Sequence, residues 1–249
     1  MSSAIPAAHI EAMTMQVWDN LERRYPFRRN RPDTWTAQRI YGLHALDKSV
    51  TFEQIGSPMV SRMFDDIIGS GNWQRPIRWG SLLVAFPESS GQWALPYISW
   101  HLDFPGDPLE PLPALRVFTC LLPLRHGGGA TLVVAGSHLL VENLAKKNAN
   151  RRLHSADIRT ALIGRYLWIK ALCSRSETAN RIERFMNVST IVDGAELRVI
   201  EMTGDPGDVF FVHPLMLHAP STNCAAVPRM VLSSFVYRNG VESGAMYQG

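Results

Sequence analysis

The sequence Gly207-Asp208-Val-Phe-Phe-Val-His213-Pro-Leu-Met-Leu-His218-Ala-Pro-Ser221-Thr-Asn223 sets a short apolar run between glycine and proline, and two histidines follow it. Comparable runs, rich in Val, Leu, Phe and Thr and separated by Pro and Gly, recur from Trp79 onward. They predict strands, which we place at 81–86, 97–104, 115–122, 131–135, 196–202, 208–213 and 230–237. Short strands joined by turns favour a β-sandwich or barrel over a sheet of alternating strands and helices.

Helical patterns flank and interrupt this β-rich part. Apolar residues at helical spacing predict helices at 10–24 and 52–68, with Thr51 as the N-cap of the second. Residues 139–187 also predict helix and separate two groups of strands. We therefore expect one domain over 1–249, with N-terminal helices at 1–75, strands at 79–138 and 190–238, and a helical insertion at 139–187.

The composition excludes several classes of protein. The chain has 249 residues, of which 46% are hydrophobic and 19% charged, which is typical of a folded globular protein and not of a disordered one. No run approaches the roughly 20 apolar residues of a membrane helix. The formal charge of +3 does not indicate nucleic-acid binding. Because a secretory signal is not visible and the three cysteines show no CxxC spacing, we expect a cytoplasmic protein.

The positive charge is concentrated in the predicted insertion. Between Glu142 and Arg184 there are ten Lys or Arg and four Asp or Glu, so this segment carries +6 and the rest of the chain −3. One interpretation is a solvated helical face. The other is a basic lid over a small-molecule substrate that is anionic or carries a carboxylate.

The triplet His101-Leu102-Asp103 predicts a pair of metal ligands. On a strand, alternate residues point to the same face, so the imidazole and the carboxylate would project side by side. Two histidines and one carboxylate leave three positions of an octahedral iron open. The third ligand is His213 or His218, and their spacing alone does not choose between them. The alternative is that each histidine only satisfies buried polar groups.

Arg229 begins the apolar run Met-Val-Leu-Ser-Ser-Phe-Val-Tyr. A guanidinium is costly to bury without an anion, and its planar fork suits a carboxylate. The alternative is that Arg229 lies at a strand end and reaches solvent.

Together these motifs, over roughly residues 79–237, resemble the phytanoyl-CoA dioxygenase family of Fe(II)- and 2-oxoglutarate-dependent oxygenases. The family pattern has HxD, a later Gly-Asp strand, a distal His, an Asn five residues on and an Arg eleven residues on. Asn223 and Arg229 stand at those distances from His218, so the resemblance selects His218 over His213. The segment Gly136-Ser137-His138 is also similar to the family's sequence.

The resemblance implies a mostly β fold with α, a jelly-roll or cupin-like double-stranded β-helix. It implies iron bound by His101, Asp103 and His218, and 2-oxoglutarate held through its distal carboxylate by Arg229. Where many members have a hydroxyl residue two positions after the distal histidine, this chain has Pro220. Three other hydroxyl residues are the candidates for assisting the arginine: Ser221, Thr119 and Thr131.

The implied reaction is oxidation of a small molecule, by hydroxylation, desaturation or cyclisation, while 2-oxoglutarate is converted to succinate. Related halogenases lack the carboxylate ligand, so Asp103 favours the other outcomes. One alternative is a cupin-type metal-binding isomerase or ligand-binding protein without oxygenase activity, which has no need for Arg229. Another is a structural domain that binds no metal. Trp100, beside His101, is the aromatic residue that we expect at the pocket edge.

Overall fold

Two four-stranded antiparallel sheets form the centre of the molecule. The computed structural model describes residues 1–35, 40, 42–88, 91–103, 111–147, 154–175 and 180–241. The strands in chain order are β1 (Ser81–Ala85), β2 (Ala114–Cys120), β3 (Thr131–Ala135), β4 (Thr190–Val192), β5 (Ala195–Glu201), β6 (Val209–Val212), β7 (His218–Pro220) and β8 (Arg229–Tyr237). Sheet A has the order β1-β8-β2-β6, and sheet B has the order β4-β5-β3-β7.

The two sheets pack face to face, and side-chain alternation determines what each face contacts. On β2, Leu115 and Val117 belong to an apolar cluster shared with the N-terminal helices. Phe118 and Cys120 point the other way and pack with Val133 of sheet B. The space between the sheets is therefore a separate interior, which is the arrangement expected of a jelly roll.

Helices cover the outer face of sheet A. Helix α1 (Ala7–Arg24) buries Ile10, Met13, Val17 and Leu21, which recur at helical spacing. Three short 3₁₀ helices follow at Pro32–Thr34, Leu43–Lys48 and Val50–Ile55. The second α-helix, α2, spans Pro58–Ile68.

A second group of helices covers the outer face of sheet B. It comprises α3 (Ser137–Lys147), α4 (Ser155–Arg165), α5 (Leu167–Leu172) and a π-helical turn at Glu183–Asn187. Their apolar side chains share one cluster with Leu132 and Val134 of β3 and with Leu197 and Val199 of β5. Among the described residues of the insertion, the helices thus pack on the outside of the sandwich. The lid interpretation is not supported for them, because the predicted site lies between the sheets.

The predicted fold class is confirmed, while several local predictions are wrong. The helix predicted at 52–68 is divided into a 3₁₀ helix and α2, because Gly56-Ser57-Pro58 interrupts it. Ser57, not Thr51, caps α2 by accepting a hydrogen bond from the Val60 amide at 3.2 Å. The strand predicted at 97–104 is absent over its described part, 97–103, where Ser99 has a φ of 65°. Trp100 is 1% exposed, so it is a core residue and does not line a pocket edge.

Strands β4 and β7 were not predicted, since three-residue strands carry too little alternation to be recognised. The proposal of one domain over 1–249 stays a prediction. Within the described part of the chain, no helix is both long and apolar enough to cross a membrane.

We predict that Gly136→Ala destabilises the fold by at least about 2 kcal/mol, measured by chemical denaturation. Gly136 has a φ of 80°, a backbone conformation that residues with a side chain rarely adopt. An added Cβ would also collide with the Glu196 carbonyl oxygen. The control is Gly164→Ala in α4, where an added Cβ meets no atom within 4 Å. The control should be neutral or stabilising by about 0.5–1 kcal/mol. Equal effects of the two changes would contradict this account of Gly136.

Candidate metal centre

His101 and His218 face each other across a direct backbone pair. The amide of His101 donates to the carbonyl of His218 at 2.9 Å, and the amide of His218 donates to the carbonyl of His101 at 3.0 Å. Through this isolated antiparallel bridge, the single residue His101 is added to sheet B beside its edge strand β7. Directly paired residues project to the same side of a sheet, and the two imidazole centroids lie 4.2 Å apart.

Asp103 completes a group of three potential ligands. His101 Nε2 lies 3.4 Å from Asp103 Oδ1, and His218 Nε2 lies 3.2 Å from Asp103 Oδ2. One ligand atom from each residue falls within 4.8 Å of the others. Neighbouring ligands of an octahedral ion with bonds of about 2.1 Å lie about 3 Å apart. A divalent ion therefore fits between these three side chains after small adjustments.

Both imidazoles are oriented by the backbone two residues earlier. His101 Nδ1 lies 2.7 Å from the Ser99 carbonyl oxygen, and His218 Nδ1 lies 3.0 Å from the Met216 carbonyl oxygen. Because a carbonyl oxygen can only accept, each Nδ1 carries the proton. In the neutral rings each Nε2 then holds a lone pair directed at Asp103, which is the tautomer that a metal ligand requires.

The charge of Asp103 makes this group attractive to a cation. Burial acts to raise the pKa of Asp103, but hydrogen bonds from Nε2 of the protonated imidazoles and the charge of the Arg116 guanidinium outweigh it and hold the pKa well below its usual range. Its Oδ2 atom is buried and lies 3.2 Å from His218 Nε2 and 3.2 Å from Arg116 Nη1. One ionised carboxylate and two imidazoles, once their Nε2 atoms have lost their protons, form the donor set that suits Fe(II).

His213, the other histidine that the spacing allowed as a ligand, lies elsewhere. Its ring packs 4.7 Å from that of His138, and its Nδ1 accepts a hydrogen bond from the Leu215 amide at 3.2 Å. Burial, with a smaller contribution from the charge of His138, lowers the pKa of His213 to about 4. The structure thus brings His218, and not His213, to the His101–Asp103 pair.

Arg229 begins β8 and points into the space between the sheets. It is 8% exposed, and burial lowers the pKa of its guanidinium to about 10. Its Nη2 donates to Thr131 Oγ1 at 3.1 Å, whereas its Nε is buried without a partner. No carboxylate in the described part of the chain pairs with it. It lies in a narrow pocket whose other lining is apolar or weakly polar: Phe118, Cys120, Leu124, Thr131, Met202, Phe210 and Val231.

The three hydroxyl candidates have different surroundings. Thr131 contacts Arg229 as described. The Ser221 hydroxyl instead donates to the Ala130 carbonyl at 2.8 Å. Thr119 is paired with Leu232 and Val209, which belong to the cluster under the N-terminal helices, so it lies on the opposite face of sheet A. Thr119 was therefore a wrong candidate, because alternation on β2 turns it away from the space between the sheets.

Arg116, which was not among the predicted site residues, lies beside the metal-ligand group. Its Nη1 is 3.2 Å from Asp103 Oδ2, and its side chain is 22% exposed. Arg116 stands in the middle of an apolar strand, between Leu115 and Val117. This is the same kind of pattern that drew attention to Arg229, so the sequence carried a signal for it.

Two further missed arginines come from the insertion and bind the backbone that precedes His101. Arg159 Nε donates to the Trp100 carbonyl at 2.7 Å. Arg181 Nη2 donates to the Pro96 carbonyl at 3.0 Å and to the Leu172 carbonyl at 2.7 Å, near the end of α5. The concentration of positive charge in this segment therefore includes cations that support the metal-ligand segment from outside sheet B.

A jelly roll with this group of residues between its sheets defines a metal-dependent enzyme of the cupin-like class. The family model for phytanoyl-CoA dioxygenase (PhyH) matches residues 4–231, so the chain belongs to that family. The resemblance drawn from the motifs is confirmed, and the chain is a non-haem iron, 2-oxoglutarate-dependent enzyme. None of the curated protein sequences matches the chain significantly.

Solved structures share the fold at low sequence identity. The epimerase SnoN in complex with Fe3+, alpha ketoglutarate and nogalamycin RO is 16% identical, with a TM-score of 0.52 over 95% of this chain and 77% of that one. HygX from Streptomyces hygroscopicus, with nickel and 2-oxoglutarate bound, is 11% identical, with a TM-score of 0.51 over 96% and 82%. The carbocyclase SnoK from nogalamycin biosynthesis is 17% identical, with a TM-score of 0.51 over 97% and 83%.

We predict that stability falls as the pH is lowered from about 6.5 to about 4, because unfolding lets His213 take up a proton that the fold resists. Its pKa of about 4 against an ordinary 6.5 corresponds to a loss of up to about 3 kcal/mol, complete below pH 4. The groups facing it are His138 and Glu142, whose Oε1 lies 3.9 Å from His213 Nε2. His213→Gln should flatten the dependence of the unfolding free energy on pH, compared with His154→Gln at an exposed histidine. An unchanged slope in His213→Gln would exclude His213 as the cause.

Proposed function

We propose that this enzyme oxidises a carbon–hydrogen bond of a small molecule while 2-oxoglutarate is converted to succinate and CO₂. The observation that carries the proposal is the environment of Arg229. A buried guanidinium without a carboxylate among the described residues, in a narrow pocket between the same two sheets as the His101–Asp103–His218 group, lacks the anion that its burial requires. A dicarboxylate that binds the metal at one end supplies that anion at the other.

In this proposal each residue has a separate task. His101, Asp103 and His218 would hold the iron as a set of two histidines and one carboxylate. Arg229 binds the distal carboxylate of 2-oxoglutarate, and Thr131 fixes the guanidinium by accepting its hydrogen bond. When they are bound, iron and 2-oxoglutarate supply the oxidant for the substrate.

The pocket walls strengthen the contact between Arg229 and its anion. Phe118, Phe210, Met202 and Leu124 keep most water away from the guanidinium. Attraction between opposite charges is several times stronger in such surroundings than in water.

The reaction outcome that we propose is hydroxylation, desaturation or oxidative cyclisation. Asp103 fills the position that a halide needs in halogenases, so halogenation is disfavoured. The expectation of an anionic substrate depended on a basic lid over the site. The described helices of the insertion cover the outside of sheet B instead, so they do not support that expectation. We also propose a cytoplasmic location, which agrees with the three cysteines being free.

We predict that Asp103→Ala and His218→Ala each lower the affinity for Fe(II) at least about 100-fold and abolish succinate formation. Iron can be measured anaerobically by equilibrium dialysis and succinate by chromatography. The control is Asp205→Ala, which removes a carboxylate that is 63% exposed and paired with Arg125. Succinate formation at the normal rate in Asp103→Ala would contradict the proposal.

Arg229→Met is expected to weaken 2-oxoglutarate binding about 100-fold and to leave the affinity for iron unchanged, because methionine fills similar space without a charge. Thr131→Val should weaken binding about 10-fold through loss of one hydrogen bond to a charged group. Ser221→Ala is the matched control, since its hydroxyl contacts Ala130. These affinities can be measured by calorimetry on the metal-loaded protein. If Arg229→Met binds 2-oxoglutarate as tightly as the wild type, Arg229 is not the residue that holds its distal carboxylate.

A further inference from the structure

Arg116 is held rigidly at the metal centre by aromatic rings. Its side chain leaves β2 on the face that lines the space between the sheets. The guanidinium carbon lies 4.6 Å from the ring centroid of Phe235 and 5.2 Å from that of Phe118. Contacts of a cation with ring faces are favourable and directional, and the side chain is only 22% exposed. The two rings therefore favour the position of the guanidinium beside Asp103.

This fixed cation lies against one oxygen of a metal ligand. Arg116 Nη1 is 3.2 Å from Asp103 Oδ2. Both oxygens of Asp103 face an imidazole, since Oδ1 is 3.4 Å from His101 Nε2 and Oδ2 is 3.2 Å from His218 Nε2. Carboxylates bind metals through either one or two oxygens. The imidazole positions alone allow Asp103 to do either.

We propose that Arg116 is a positioning residue that restricts Asp103 to binding the iron through one oxygen. The inference rests on the proposed function, in which Asp103 is an iron ligand. A positive group at 3.2 Å competes with the metal for Oδ2 and leaves Oδ1 as the ligand. Binding through one oxygen keeps three of six positions open for the cosubstrates. Binding through two oxygens would occupy one of those positions.

Arg116 and Arg229, the two arginines described between the sheets, thus have different roles in our proposal. Arg229 has no carboxylate among the described residues and is suited to bind a ligand. Arg116 already faces a carboxylate of the protein and acts through it. Replacing Arg116 should therefore change the metal's coordination, whereas replacing Arg229 should change only the binding of the dicarboxylate.

The decisive experiment compares wild type with Arg116→Met and Arg116→Lys, each loaded with Ni(II) as an oxygen-stable substitute for Fe(II). Crystal structures should show Asp103 bound through one oxygen in wild type and through two oxygens in Arg116→Met. Calorimetry should show Ni(II) binding by Arg116→Met at least as tight as wild type, with 2-oxoglutarate binding at least 10-fold weaker. Arg116→Lys, which keeps the charge, should retain single-oxygen binding and most of the affinity. Arg125→Met, at an exposed arginine, is the control.

The outcomes separate this inference from the proposed function. If wild type fails to bind Ni(II) and Asp103→Ala changes nothing, the metal centre itself is wrong. If wild type binds Ni(II) but Arg116→Met keeps single-oxygen coordination and normal 2-oxoglutarate affinity, the role of Arg116 is wrong and the metal centre stands. Should Arg116→Met fail to fold, Arg116→Lys decides: two-oxygen coordination or parallel loss of Ni(II) affinity in a folded Arg116→Lys would overturn the inference.

Discussion

The reciprocal pair of backbone hydrogen bonds between His101 and His218 is the constraint on which the site depends. It joins two segments that are distant in sequence and places both imidazoles on one side of sheet B. Neither segment is a long strand, since β7 has three residues and His101 forms a single bridge. The hydrogen bonds from each Nδ1 to a nearby carbonyl then fix the rotation of each ring. Main-chain bonding, more than side-chain packing, therefore sets the spacing of the two nitrogen donors.

The space between the sheets also contains two arginines. They differ in whether a carboxylate of the protein lies beside the guanidinium. Arg229 is surrounded by apolar walls and Thr131, so its positive charge favours an anionic ligand at that position. Arg116 faces Asp103 and two aromatic rings, so its charge is used within the protein. In our proposal Arg229 therefore binds a ligand, whereas Arg116 acts on the carboxylate of Asp103. Arg116 and Arg229 lie on the same face of sheet A, so both side chains enter the space between the sheets.

Much of the fold, and the grouping of His101, Asp103 and His218, could be predicted because the signals are local. Glycine and proline separate the strands, and the distances from His218 to Asn223 and Arg229 match a family pattern. The misses are positions where the outcome depends on distant partners. Thr119 and Thr131 both lie in apolar runs of the sequence. Only the pairing of the strands shows that Thr119 faces the helices and that Thr131 faces Arg229. A run rich in apolar residues predicted a strand at 97–104, but Ser99 at positive φ turns the chain there. The charge of the insertion was visible, but not the side of sheet B that its helices cover.

Arg159 and Arg181 reach through the edge of the sandwich from the helices to the main chain just before His101. The insertion thereby acts as a brace for the metal-binding loop, although its described helices lie outside the space where chemistry takes place. Helices outside the space between the sheets thus help to fix the main chain that carries His101.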